Sequence, residues 1–192
     1  MRIKDGNNIE VLVNKTNWLA KEFVPIDLII PKVNFLLDTN SEAMFLRKES
    51  AKALEKLFKN AKKEKIELYA ASGYRSYKRQ SEIFKKNLKK DGKIANKYSA
   101  RAGQSEHQTG LAIDVTCKDV NFDLVEEFEG SKAYLWLFNN SHKFGFILRY
   151  PRGKEDITGY IFEPWHLRYV GKELAYKLYM EEITLEEYYK NK

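Results

Sequence analysis

Three short stretches hold nearly all the side chains that could do chemistry: Ser72-Gly73-Tyr74-Arg75-Ser76, Ser105 to Asp114, and Glu163-Pro164-Trp165-His166. They offer two imidazoles (His107 and His166), a carboxylate to sit beside them (Asp114), a spare carboxylate (Glu163) and a guanidinium (Arg75). Two histidines and one carboxylate form a catalytic zinc set that leaves a fourth coordination position for water. Zinc held this way lowers the pKa of water to about 7 and polarises a scissile carbonyl. Glu163, close to a ligand and not needed for coordination, is then the candidate general acid/base. Arg75 adds a planar fork that matches a carboxylate. It sits beside Ser76, the expected start of a helix, where unpaired backbone N–H groups favour an anion.

The other two candidates for reactivity read as structural. The third histidine, His142, lies near a helix C-terminus beside Lys143, where its charge would complement the dipole. Cys117, the single cysteine, directly follows a strand-like run and is expected to be buried. One cysteine excludes an intramolecular disulfide and a cysteine-cluster metal site.

These residues need elements to position them. On one helix the seven positions between His107 and Asp114 would span roughly 10 Å, too far to share an ion. They can meet if His107 sits on a loop that folds back through Gly110 onto a strand carrying Asp114. Leu111 to Thr116 alternates, with Leu111, Ile113 and Val115 facing one way and Ala112, Asp114 and Thr116 the other. A carboxylate on a covered face needs a partner, and a metal ion would supply one. Pro164 disfavours helical geometry at Glu163, so Glu163 to His166 is expected as a turn running into a strand from Leu167 to Val170.

Elsewhere, Met44, Ala51, Leu54, Phe58 and Ala61 mark one helical face, with Asn40 or Ser41 able to cap its first turn. Ile66 to Ala71 reads as a strand broken at Gly73. Ser76 can cap a helix to about Lys90, ended by Asp91-Gly92, with Tyr77, Ile83, Phe84 and Leu88 as its apolar contacts. Ile94 to Gly110 reads as a long functional loop. Ala133 to Phe138 suggests a buried helix stopping near Gly145, with a strand as the open alternative. Phe146 to Tyr150 is strand-like. From Lys172 the chain is helical, and Thr184 with Glu187 has capping-box spacing. Residues 1–40 look like an irregular strap and 41–192 like the catalytic domain. Strands and helices mix without regular alternation, which predicts a single compact α+β domain with a mainly antiparallel central sheet flanked by helices.

Composition narrows the class. With 192 residues, 43% of them apolar and 14% aromatic, the chain can build one domain with a real core. No apolar run approaches the ~20 residues of a transmembrane helix, and Met1 to Asn8 lacks a secretory signal's hydrophobic stretch. The net charge of +7 favours polyanions such as nucleic acid, anionic lipid or an acidic wall polymer. Basic residues alternate with glutamates in Arg47-Lys48-Glu49 and Lys62-Lys63-Glu64-Lys65, as on a solvated helix face. No nucleic-acid-reading motif is present, so nucleic acid is not expected as a partner.

The spacing Ser-x-His-x-x-Gly-x-Ala-x-Asp at Ser105 to Asp114, followed by Glu-x-x-His at Glu163 and His166, resembles the VanY-type zinc D-alanyl-D-alanine carboxypeptidases. Ser72 to Ser76, Phe144 to Tyr150 and Glu163 to Gly171 resemble that family too. The resemblance implies the Hedgehog/DD-peptidase fold, zinc held by His107, Asp114 and His166, Glu163 as catalytic base, and substrate contacts from Arg75, Gln80 and Ser105. It further implies removal of C-terminal D-alanine from peptidoglycan stem peptides on the outer side of a bacterial membrane. Relatives with nearly the same motifs cut an L,D bond in a tetrapeptide, so that specificity is an alternative. The walls that discriminate are expected in Ile94 to Gly103 and Tyr150 to Tyr160. A competitor from another class is a non-catalytic, zinc-stabilised module that binds the cell wall.

Overall fold

The site is carried by four antiparallel strands whose order, β3-β4-β6-β5, differs from their order in the chain. They are β3 (Tyr69–Ser72), β4 (Ala112–Thr116), β5 (Phe146–Tyr150) and β6 (Glu163–Tyr169). The structure is a computed structural model and describes residues 1–37 and 41–191. A two-stranded ribbon, β1 (Leu28–Ile29) with β2 (Leu46–Arg47), lies outside the main sheet. The helices are α1 (Lys48–Lys63), α2 (Tyr77–Asp91), α3 (Ala95–Tyr98), α4 (Lys132–Asn140), α5 (Glu155–Thr158), α6 (Lys172–Glu181) and α7 (Leu185–Lys190).

Alternation along the strands separates a dry face from a chemical one. Ile113, Val115, Leu167 and Phe146 join Ala51, Leu54, Leu57 and Ala61 of α1 in the main apolar cluster. Asp114, His166, Arg168 and Arg149, one residue off in register, are buried on the other face. Burying charge requires partners, and that face is where they are found. A second cluster joins Ile147 and Val170 to α6 and α7 through Leu174, Ala175, Leu178 and Leu185. The α+β class and the antiparallel sheet agree with the sequence.

Several boundaries differ from expectation, each for a local reason. Asn40 lies outside the described residues. Ser41 caps a one-turn 3-10 segment, Glu42–Met44, by accepting from the Ala43 N–H, and not the long helix. α1 starts only at Lys48, because Leu46 and Arg47 pair with β1 while the Arg47 and Lys48 N–H groups donate to Gly110 and Asp27 carbonyls. Between Ile94 and Gly110 the chain is not all loop: it forms α3 and a 3-10 turn at Glu106–Thr109. Ala133 to Phe138 is helical, as α4, with Trp136 and Leu137 buried but Leu135 and Phe138 exposed.

Glu163 to His166 is strand, not turn. Pro164 is tolerated because neither ladder gives it a partner: β4 pairs only from His166 onward, and the β5 register shifts between Leu148 and Tyr150. The expectation for His142 also changes. Its ring stacks on Tyr179 at 3.7 Å, and burial, with Lys143 adding, lowers its pKa. A neutral, packed imidazole cannot lend the helix a charge.

Candidate active site

Registry across the sheet does most of the assembly. Ser72 stands opposite Asp114 and Asp114 opposite His166, so three neighbouring strands present these residues abreast. Directly opposed residues bring their Cβ atoms to about 4.5–5.5 Å, the spacing at which two side chains can share one ion. His107 arrives from the Glu106–Thr109 turn. That turn ends at Gly110 with φ +65°, and the Gly110 N–H donates to the His107 carbonyl. The positive φ favours glycine, and a Cβ at Gly110 would lie 2.8 Å from Leu28 Cδ2 and 3.3 Å from the Arg47 backbone nitrogen, so a side chain there would have to push its neighbours aside.

The two imidazoles meet edge to face with centroids 5.0 Å apart. His107 Nδ1 lies 2.7 Å from the Gly73 carbonyl oxygen, which can only accept. The Nδ1 proton is therefore donated there, and the Nε2 lone pair faces Asp114 Oδ2 at 3.4 Å. Burial lowers the His107 pKa, and Arg75 adds to this against the pull of Asp114. The ring is thus in the form a metal needs.

His166 is placed differently. Its Nδ1 lies 3.1 Å from Asp114 Oδ1 and its Nε2 lies 3.3 Å from Glu106 Oε2. Burial alone would lower its pKa, but hydrogen bonds to Asp114 and Glu106 lift it to about 9. The surroundings of this ring therefore favour a cation. One ligand atom each from His107, Asp114 and His166 falls within a 4.8 Å group, with all three residues buried. Two imidazoles and a carboxylate suit zinc, and each ring has its second nitrogen anchored, so the donor set fits that ion.

Glu163 Oε2 is 3.8 Å from His166 Nδ1. Burial, reinforced by Asp114 and opposed by His166, pushes its pKa up to about 7. A carboxyl poised there can both take and give a proton near neutrality. Arg75 completes the ring of groups. Its N–H donates to the His107 carbonyl at 3.1 Å, and its guanidinium donates to Gln80 Oε1 at 2.9 Å and Ser72 Oγ at 3.1 Å. Gln80 in turn donates to the Ala100 carbonyl at 2.6 Å, so both ends of its amide are engaged in orienting Arg75. Ser105, Trp165, Tyr98 and Tyr160 help line the cleft, whose volume is about 220 Å³. All seven residues singled out in the sequence border this one cleft: Arg75, Gln80, Ser105, His107, Asp114, Glu163 and His166.

Sequence reasoning gave no role to the support behind His166. Glu106 is fully buried and accepts from Arg149 Nε at 2.7 Å and from Arg168 Nη1 at 2.6 Å. Burial would raise the Glu106 pKa, but the two guanidiniums hold it far below the usual carboxylate range. Arg149 also forks onto Glu186, and Arg168 donates to the carbonyls of Ile9 and Val11. Tyr150, within the Tyr150 to Tyr160 stretch expected to wall the site, lines the cleft, and its ring also packs 4.9 Å from that of His166, a contact the sequence does not show. The one available signal was that Glu106 immediately precedes a nominated ligand.

An inward-facing sheet row, two anchored imidazoles and a poised carboxyl make this cleft the candidate active site. The VanY family model, described as D-alanyl-D-alanine carboxypeptidase, matches residues 43–172, and the chain belongs to that family. It is 46% identical over 188 residues to the Putative carboxypeptidase YodJ of Bacillus subtilis, covering 97% of this chain and 69% of that protein. Among solved structures it matches the LdcB LD-carboxypeptidase with TM-score 0.95 and 46% identity, over 98% of this chain and 89% of that one. It also matches a VanY D,D-pentapeptidase mutant in complex with Zn(II), with TM-score 0.77 and 33% identity, over 96% and 99% of the two chains. The fold is that shared by these peptidases, and the family membership supports peptidase activity.

Proposed function

We propose that this protein is a zinc-dependent carboxypeptidase that releases C-terminal D-alanine from peptidoglycan stem peptides outside the bacterial membrane. The observation that carries the reading is the convergence of His107, Asp114 and His166 on one buried point, with Glu163 beside it and Arg75 on the same cleft. His107, Asp114 and His166 would hold the zinc ion, which when bound would supply Lewis-acid polarisation and an acidified water. Glu163 accepts the proton from the attacking water at its carboxylate and returns it to the leaving amine. Arg75, fixed by Gln80 and Ser72, offers its guanidinium to the free carboxylate of the peptide. Ser105 and the tyrosines of the cleft restrict how the chain can lie.

One further observation bears on which bond is cut. The likeness to the LdcB LD-carboxypeptidase exceeds that to the D,D-pentapeptidase in both identity and TM-score. This favours the L,D bond of a tetrapeptide over the D-alanyl-D-alanine bond that the family description names. The competing reading, zinc as a structural ion in a non-catalytic module, would call for a fourth protein ligand. Among the described residues the metal-ligating group contains three.

Glu163→Gln is the direct test. Zinc content should stay at wild-type level while release of D-alanine falls by about 10²–10⁴-fold. Mass spectrometry on a mixture of pentapeptide and tetrapeptide identifies the bond. Undiminished turnover in this variant would reject Glu163 as the proton carrier. Absence of product from wild type with either peptide would reject the enzymatic reading.

A further inference from the structure

The charge of this chain is unevenly placed. Residues 77–101 hold nine lysines and arginines against Glu82 and Asp91, an excess of seven, which equals the excess of the whole chain. The remaining residues balance at 25 basic and 25 acidic. The basic segment is α2, the turn after it, α3 and the start of the next loop. Its two carboxylates are engaged, Glu82 with Arg79 at 3.5 Å and Asp91 with the Tyr98 hydroxyl. Lys85, Lys86, Lys89, Lys90, Lys93 and Lys97 are exposed, and among the described residues none of them pairs with a carboxylate. An alternating, self-neutralising helix surface, which the sequence suggested for the chain at large, is not what this wall presents.

The same wall faces the chemistry on its inner side. Gln80, Ile83 and Asn87 of α2 and Tyr98 of α3 line the cleft. A polymer lying along the outer face is therefore held next to the mouth of the site. The patch is mostly lysine, a point charge without a fork, which suits a repeating phosphate better than a single bidentate carboxylate. A bilayer is a poorer occupant. Phe84, the buried apolar residue of α2, points into the protein, and the outer surface offers only Leu88 and Ile94 for insertion. An interfacial helix needs a whole apolar face.

We propose that the outer face of α2 and α3 is a docking strip for a phosphodiester-linked polyanion of the cell wall, which holds the cleft over neighbouring stem peptides. The choice of a wall-borne occupant rests on the function proposed above. The charge complementarity stands without it.

The test is cosedimentation of residues 1–192 with bacterial walls rich in poly(glycerol phosphate), before and after hydrofluoric acid has removed the phosphodiester polymer. Soluble poly(glycerol phosphate) and phosphatidylglycerol vesicles serve as separate probes. Stripping the walls should weaken binding at least tenfold. The variant carrying Lys85→Gln, Lys86→Gln, Lys89→Gln and Lys93→Gln should lose at least tenfold on intact walls. It should also flatten the slope of log affinity against log salt by about 0.7 for each lysine removed. A control with the same charge change on α1, Lys56→Gln, Lys59→Gln, Lys62→Gln and Lys63→Gln, should bind like wild type. Thermal unfolding checks that both fold, and glutamine keeps helix propensity at these exposed positions. Release of D-alanine from a short soluble peptide should be unchanged in both.

Equal losses in the two variants would reduce the effect to net charge and overturn the strip. So would binding that survives hydrofluoric acid, or vesicle binding as tight as that of the soluble polymer. Peptide turnover is read separately: wall binding without turnover rejects the proposed function and leaves the strip standing.

Discussion

His107 and His166 face each other across 5.0 Å but are held by unlike means. His107 hangs on backbone: its ring donates to the Gly73 carbonyl, and its own carbonyl accepts from Arg75 and Gly110. His166 stands on a central strand and leans on a buried cluster of charge, Glu106 with Arg149 and Arg168. The first support depends on loop geometry and is close to neutral. The second depends on Coulombic balance among buried side chains, where charges are weakly screened. A site assembled from both has one half that fails by misplacement and another that fails by unpaired charge.

The largest effect should come from the charged half. Glu106→Gln leaves Arg168 buried without a carboxylate and Arg149 with Glu186 alone, and should cost about 3–5 kcal/mol in denaturant unfolding. Because the imidazole of His166 also loses its anchor, zinc affinity should drop about 10–100-fold in a chelator competition assay. Gly110→Ala probes the other half. The left-handed backbone and the close approach to Leu28 should cost about 1–3 kcal/mol, and zinc should bind more weakly as His107 shifts. If Gly110→Ala weakens zinc while Glu106→Gln leaves it untouched, the contrast between the two supports is wrong. The smallest effect lies at a remote point used as a control. Glu187 closes the capping box of α7 and accepts from Lys154 at 2.8 Å. The Lys154 hydrogen bond, with the Thr184 N–H, lowers its pKa from the ordinary 4.5. Its contribution is therefore full above about pH 4.5 and is lost as pH falls through the depressed native value. Glu187→Gln should cost about 0.5 kcal/mol at pH 7, nothing in strong acid, and leave zinc affinity unchanged.

The parts of the site legible in the sequence are those encoded within a few residues. Gly110 announced the turn that returns His107 to Asp114, Ser76 and Gly92 bracketed α2, and Thr184 with Glu187 marked α7. Pro164 misled, because its penalty is local whereas the irregular pairing that accommodates it depends on β5 and β4. The start of α1 was misplaced for the same kind of reason, since β1 takes the residues that would have begun it. The Glu106 network was invisible: its partners lie 43 and 62 residues away, among 34 basic side chains that look alike in a string. The basic wall was different in kind. Its excess of seven shows only when charge is summed over residues 77–101, because no pair of neighbours carries it.

Arg168 reaches the carbonyls of Ile9 and Val11, 159 and 157 positions away, and Arg149 reaches Glu186 near the other end. Contacts of such span carry a large loop-closure entropy and depend on the rest of the fold to hold their ends together. A chain in which either contact is undone would accordingly lack a braced His166. The bracing of His166 is thereby tied to two distant segments, one carrying Val11 and one carrying Glu186, and is withheld until both have docked.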